Sequence, residues 1–314
     1  MNDFVAVTGA TGHVGKALVE RLLGQRVRVR AIGRQMERLS PLVAMGADAR
    51  AGDLTDVNFT AEAFRDAQAV FLMIPPHYDS PDMYAEQRRT AASLVQALKR
   101  SEVPYAVALS SVGASLHSGT GPIAGLHAFE EMLKDAPAVA VVVLRAAYFM
   151  ENHLGAIPLI RSAGVMGTAI RCDTQLPMVA TRDIASAAAA WLSDPAFKGY
   201  SVREVLGPRD YTMCGATAIL GAAIGNPDLP YTEFTTTELR DALTQAGFSP
   251  SVADGFVEMQ QAFNAGTIQE TYTRKPSSST QTTLEEFARD VFAPAYYRQQ
   301  PASNAQQHAA AAHR

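Results

Sequence analysis

The sequence predicts an α/β fold: a doubly wound parallel sheet over about the first 150 residues, followed by a small mixed C-terminal lobe. Three observations carry this. Strand-like and helix-like segments alternate six times within about 150 residues, and parallel strands need a crossover helix between them. The strand-like segments are continuous apolar runs, as in strands buried on both faces. The first of them runs directly into a glycine-rich turn, Gly9-Ala10-Thr11-Gly12-His13-Val14-Gly15, that opens the first helix. A closed eight-stranded barrel would need more such units.

The elements follow in order. Phe4-Val5-Ala6-Val7 is a buried strand that stops at Thr8-Gly9. Val14, Leu18, Leu22 and Leu23 stand at helical spacing over residues 13–23, ending at Gly24. Residues 27–32 form the second strand. Its alternating Arg26, Arg28 and Arg30 read as one polar strand face rather than a binding patch. Residues 36–45 are helical and stop at Gly46, a residue suited to a C-terminal cap. A short strand at 48–51 and a helix at 60–67 come next, then a fourth strand at 69–74 ended by Pro75-Pro76. A long helix (82–100), a strand (105–109), a helix (123–134) and a strand (138–144) complete the alternation.

Beyond residue 150, Pro158, Gly164, Gly167 and Pro177 break the rhythm. A helix is expected at 182–192, capped by Thr181 or Asp183, and a strand at 202–206. Helices are also expected at 212–224, 236–246, 250–263 and 283–292. The expected domains are a core of residues 1–150 to which 178–206 returns, a substrate-side lobe of 151–177 and 207–297, and a disordered Gln- and Ala-rich tail, 298–314.

Of the 314 residues 47% are hydrophobic and 18% charged, with a net charge of -4. That suits a chain with a substantial core and no basic footprint for nucleic acid. The longest apolar stretch, 136–147, is too short to span a bilayer. Cys172 and Cys214 lack metal-ligand spacing and read as two reduced thiols of a cytoplasmic protein; no metal site is expected.

The glycines at 9, 12 and 15 sit where a dinucleotide's pyrophosphate would approach the backbone, at a helix N-terminus with free N–H groups. The second strand ends Ala31-Ile32-Gly33-Arg34, without the carboxylate that would bind a ribose 2′-hydroxyl. Arg34, assisted by Arg38, stands where a 2′-phosphate would lie, so NADP(H) is the expected cofactor. The bland alternative is a solvated arginine. Asp53, in Gly52-Asp53-Leu54, either accepts from the adenine amino group or caps the next helix. Ile74, Pro75 and Pro76 either border the ribose and nicotinamide or only stop the strand.

Together, residues 8–15, Arg34, residues 52–54, Leu109-Ser110-Ser111-Val112-Gly113, residues 144–152 and residues 177–184 resemble the NmrA-like branch of the atypical short-chain dehydrogenases/reductases. The pattern Leu144-Arg145-x-x-x-Phe149-x-Glu151-Asn152 narrows the likeness to that branch. The resemblance implies a Rossmann-type domain with NADP(H) in its cleft. Residues 9–15 would hold the pyrophosphate, Arg34 the 2′-phosphate, Asp53 and Leu54 the adenine, and Ile74 to Pro76 the ribose. Tyr148, Phe149 and Asn152 would line the nicotinamide and substrate side. One departure stands out: none of the ten tyrosines has Lys four residues later, so the usual Tyr-x-x-x-Lys proton donor is missing. The resemblance places Ile123 and His127 at those positions. His127 either serves the site or pairs with Glu131 one helical turn on. Ser111 matches the loop serine of such reductases, or only caps its loop.

Two functions fit. One is NADPH-dependent reduction of a flat conjugated acceptor such as a quinone, whose reduced anion can take its proton from water. Tyr148 and Phe149 would then offer stacking surface, unless they are core aromatics. The other is an NADP(H)-sensing protein read by a protein partner. An isomerase or lyase using the cofactor transiently is a third and weaker fit. A homodimer is compatible with each.

Overall fold

The computed structural model describes residues 4–136 and 138–298. The tail expected from residue 298 lies, from 299 on, outside the described residues. The chain runs β1 (Phe4–Val7), α1 (His13–Gly24), β2 (Arg28–Gly33), α2 (Met36–Ala44), β3 (Asp48–Ala51), α3 (Val57–Phe64), β4 (Ala69–Leu72), α4 (Met83–Ser101), β5 (Tyr105–Ser111), α5 (Pro122–Lys134) and β6 (Ala140–Ala146). It continues through β7 (Tyr148–Phe149), α6 (Ile157–Ala163), β8 (Met166–Thr168), β9 (Gln175–Val179), α7 (Thr181–Leu192) and β10 (Tyr200–Val205). Last come β11 (Asp210–Thr212), α8 (Met213–Ala223), β12 (Tyr231–Glu233), α9 (Thr236–Gln245), α10 (Pro250–Asn264), α11 (Leu284–Phe287) and α12 (Ala293–Arg298).

Seven parallel strands form the central sheet in the order β10-β6-β5-β4-β1-β2-β3. This is the doubly wound, Rossmann-like arrangement, with the order reversing between β1 and β4. The period of two along each strand sorts the core into two layers. Val5 and Val7 pack with Leu18 and Leu22 of α1 and Ile184 and Ala188 of α7. Phe4, Ala6, Val70 and Leu72 pack with Phe64, Leu94, Leu98, Phe129 and Leu133 of α3, α4 and α5. Each fully buried Leu or Phe contributes roughly 1.5–3 kcal/mol of burial, which fixes the helices against the sheet.

Capping explains where boundaries differ from the sequence reading. The third helix starts at Val57, not 60, because Asp56 Oδ1 accepts from Asn58 N at 2.8 Å and Phe59 N at 3.2 Å. β4 ends at Leu72, not 74, because the next amide, Met73 N, donates to Thr8 Oγ1 at 3.0 Å instead of to a strand. The expected cap of α7 by Thr181 or Asp183 gives way to a distant one. The Glu151 carboxylate accepts from Thr181 N at 3.0 Å and Thr181 Oγ1 at 2.5 Å, while Asp183 binds Thr282 N at 3.0 Å.

Outside the central sheet the chain adds a β11-β9-β7 sheet and a β12-β8 pair, whose strands of two to five residues were too short to read from periodicity. It also overturns the expectation of two reduced thiols. Cys172 and Cys214 form a disulfide with Cα atoms 5.0 Å apart, 42 residues apart in sequence. The lobe brings the loop before β9 against the start of α8, where Cys214 N donates to Cys172 O at 3.1 Å. Arg30 serves the surface: it pairs with Asp48 at 2.8 Å and lies 4.1 Å over the Phe4 ring. Among the described residues no helix is long and apolar enough to cross a membrane.

Candidate functional site

A cleft of about 620 Å³ opens along the carboxyl edge of the sheet, the place where ligands bind in open α/β sheets. Its floor is the glycine turn. Gly9 adopts φ +63°, and a Cβ there would come within 2.8 Å of Met73 Cγ. Gly15 touches the turn from the helix side; a Cβ on it would lie 2.7 Å from Gly9 C and 2.9 Å from Ala10 Cα. These two glycines are demanded by the protein's own packing. Gly12 is not: a Cβ there would meet only Gly9 O, at 3.4 Å, and would point into open space. Gly12 precedes α1 without any side-chain cap, and no acidic residue stands in the first turn. The unpaired amides and positive dipole end of α1 are therefore available to an anion.

The turn is held from below. Thr8 Oγ1 donates to Phe71 O at 3.0 Å and accepts from Met73 N at 3.0 Å, and Ala10 N donates to Ile32 O at 3.1 Å. Gly9, Thr11 and Gly12 line the cleft. Ala10 and Val14 are buried beneath it, Gly15 forms the turn–helix contact, and His13 is exposed at the start of α1.

Arg34 and Arg38 line the cleft beyond β2, both exposed, and neither has an ion-pair partner among the described residues. Asp53 and Leu54 line the same cleft. Asp53 does not cap α3, which Asp56 does; its Oδ1 accepts from Thr55 N at 2.8 Å in a local turn. Gly52 makes room for the Phe59 ring, which a Cβ would approach to 2.5 Å. Pro75 and Pro76 line the cleft, whereas Ile74 packs into the core layer behind β4. Two unpaired guanidinium groups, an uncapped helix N-terminus and a glycine with free space beside it fit a phosphorylated dinucleotide.

The residues expected at the catalytic, nicotinamide and substrate side do not line this cleft. Ser111 Oγ donates to Val112 O at 2.8 Å. His127 does not pair with Glu131, which binds Lys134 at 2.5 Å; its Nδ1 donates to Ala114 O at 2.9 Å. His127 lines a separate groove of about 410 Å³ with Tyr84, Arg88, His117 and Glu258. Tyr148 packs against His153 and Phe263, with ring centroids 5.6 and 6.2 Å away, and burial raises its pKa. Phe149 packs against the same core, and Asn152 is exposed on the following turn. None of these five lines the cleft. His153 is wholly buried, which pushes its pKa down to about 4.

The most distinctive sequence pattern, residues 144–152, does structural work. Arg145 binds the Glu130 carboxylate through two nitrogens, at 3.0 and 2.6 Å, and Ser110 Oγ donates to the same carboxylate at 2.6 Å. Glu130 is 2% exposed, so the pair pins α5 to β5 and β6. Glu151 caps α7, as above. The cleft also holds residues the sequence reading passed over: Gln35, Met73, His77, Tyr78, Thr90 and Gly247. His77 and Tyr78 follow Pro75-Pro76 at the carboxyl edge, a placement legible in hindsight. Gly247 comes from the lobe and carried no signal.

A family model described as the NmrA-like family matches residues 1–288. NAD(P)H azoreductase of Xenophilus azovorans is 25% identical over 255 residues, 81% of this chain and 85% of that protein. Quinone oxidoreductase 2 of Escherichia coli (strain K12) is 26% identical over 255 residues, 80% of this chain and 84% of that one. Among solved structures, an Escherichia coli NADPH-dependent quinone oxidoreductase complexed with NADPH superposes with a TM-score of 0.74 at 23% identity, covering 92% of this chain and 100% of that one. A Citrobacter sp. triphenylmethane reductase superposes at 0.76 and 21% identity, covering 93% of this chain and 99% of that one.

Proposed function

The chain belongs to the NmrA-like family, and from that premise we propose that it is an NADPH-dependent reductase of small conjugated acceptors such as quinones or azo dyes. The observation that carries this reading is the cleft floor: Gly12 faces open space beside unpaired α1 amides, with Arg34 and Arg38 unpaired along the same wall. The residues from Gly9 to Gly15 hold the pyrophosphate, Arg34 and Arg38 the 2′-phosphate, Asp53 and Leu54 the adenine side, and Pro75 and Pro76 the ribose. The lobe of residues 151–177 and 207–297 closes the substrate side. Two similar proteins, an NAD(P)H azoreductase and a quinone oxidoreductase, support the acceptor class.

The cofactor supplies a hydride from its dihydronicotinamide ring. The chain's part is to hold donor and acceptor in register and exclude water. No tyrosine is followed four residues later by Lys, which suits an acceptor whose reduced anion is stabilised by conjugation. The same gap favours a second reading, an NADP(H) sensor read by a protein partner. One experiment separates them: NADPH oxidation is followed with a panel of quinones and azo dyes, alongside fluorescence titration of NADPH and NADH. Turnover with at least one acceptor and tighter NADPH binding are expected. Tight NADPH binding with no turnover would establish the sensor instead, and equal or tighter NADH binding would refute the cofactor preference.

A further inference from the structure

A reductase without Tyr-x-x-x-Lys still leaves negative charge on its reduced acceptor, and the fifth helix offers no donor to the cleft. Ile123 is buried in the core and His127 lines another groove. Among the described residues one imidazole does line the cleft, that of His77. Its Nδ1 lies 3.0 Å from Glu86 Oε1 on the first turn of α4, with the two side chains 22% and 13% exposed. Arg89 holds the other carboxylate oxygen, Oε2. Glu86 is thus anchored on one side by Arg89 and stands at ion-pair distance from the ring on the other, and among the described residues Nε2 has no hydrogen-bond partner.

The loop that carries His77 is tied at several points. Ser80 N donates to His77 O at 3.3 Å, Ser80 Oγ to Asp82 O at 2.9 Å, and Ser249 N to Tyr78 O at 2.8 Å. Tyr78 packs against Phe248 with ring centroids 4.6 Å apart. A side chamber of about 90 Å³ opens behind this loop, and Pro75, Pro76, His77 and Tyr78 line both spaces. Its remaining wall joins four apolar residues, Met83, Pro122, Val252 and Phe256, to Ser80, Glu86 and Gln87. It is smaller than the roughly 150 Å³ cavity that encloses a benzene ring. It therefore takes the edge of a flat molecule whose body lies in the main cleft. His77 stands at the junction.

We propose that His77, placed beside Glu86, donates the proton to the reduced acceptor at this junction; the step rests on the reductase reading above. The acceptor gains a hydride from a dihydronicotinamide, which is oxidised to the nicotinamide cation. The electron pair settles as negative charge on the acceptor's oxygen or nitrogen. The Nε2–H bond of the imidazolium breaks as an O–H or N–H bond forms, and the neutral imidazole regains a proton from water. One hydride and one proton make a hydroquinone from a quinone, or a hydrazo compound from an azo dye. His77 is the catalytic residue and Glu86 a positioning residue.

The test uses the full chain saturated with NADP⁺ and two redox-inert probes of one shape, 4-nitrophenolate and nitrobenzene. His77→Gln is expected to weaken nitrophenolate about tenfold, the loss of one charge-assisted hydrogen bond, and to leave nitrobenzene within about twofold. Glu86→Gln should show a smaller loss of the same sign. In turnover, an azo nitrogen anion needs its proton more than a quinone-derived phenolate does. His77→Gln should therefore slow azo reduction on the order of 10²-fold and quinone reduction by less than about tenfold. Melting temperature and NADPH affinity, measured in parallel, show that fold and cofactor site persist. Equal changes for the two probes, or equal losses for the two acceptors, would overturn the inference while leaving the reductase reading intact. A parent chain that reduces neither acceptor would overturn both.

Discussion

Replacing Gly12 and Gly15 in turn by alanine adds the same methyl group three residues apart, with opposite expected consequences. At Gly12 the backbone is extended, φ -84° and ψ 172°, which any residue adopts. The new Cβ meets only Gly9 O, at 3.4 Å. Alanine is a poorer cap than glycine, but it also restricts the unfolded chain, so the net stability change is within about 0.5 kcal/mol. At Gly15 the methyl would lie 2.7 Å from Gly9 C and 2.9 Å from Ala10 Cα. The turn cannot retreat, because Ala10 N is bonded to Ile32 O at 3.1 Å and Gly12 N to Gly9 O at 3.0 Å. Overpacking of this kind costs roughly 1–3 kcal/mol. At about 2–4 °C per kcal/mol, thermal melting by circular dichroism should place Gly15→Ala several degrees below the parent and Gly12→Ala within about 2 °C. Fluorescence titration should show the reverse order in function. Gly12→Ala loses at least about tenfold in NADPH affinity, or 1.4 kcal/mol, and Gly12→Val abolishes binding. A Gly12→Ala chain that binds NADPH like the parent would refute the placement of phosphate at this turn. A Gly15→Ala chain that melts like the parent would refute the packing argument.

Three further outcomes are expected. Arg34→Ala should weaken NADPH by roughly 10–100-fold, as for a charge-assisted contact, and leave NADH nearly unchanged, which parallel titrations check. Arg145→Met leaves the Glu130 carboxylate buried without its cation and should destabilise the chain by about 3–5 kcal/mol in urea unfolding, whereas replacing both partners by apolar residues should recover much of that loss. Reducing the Cys172–Cys214 disulfide, which closes a loop of 42 residues, should lower stability by up to about 4 kcal/mol on loop entropy alone; thiol titration of the unfolded chain should find two thiols only after reductant.

Local order determined what was legible beforehand. The β-α alternation, the apolar strands and the turn at Gly9 to Gly15 depend on neighbours within one element, so the parallel sheet and the glycine turn that floors the cleft could be read from residues alone. That Arg34 lines the cleft was legible because its place follows from the end of β2. Chemistry drawn from separate elements was not. The carboxylates of Glu130 and Glu151 find their partners in Arg145 and Thr181 only when β6, α5 and α7 stack, so a pattern that marks the family turned out to hold the fold together. Cys172 met Cys214 only through the lobe's short strands, which are too brief to leave a period in the sequence. His77 acquired Glu86 because the loop after β4 folds back over the start of α4, while His127, promising by its place on α5, was turned to the Ala114 carbonyl. The sequence by itself determined the sheet and the glycine turn, because both are set by periodicity and local backbone geometry. Only the tertiary structure decided which histidine faces the cleft, because that depends on how distant loops pack.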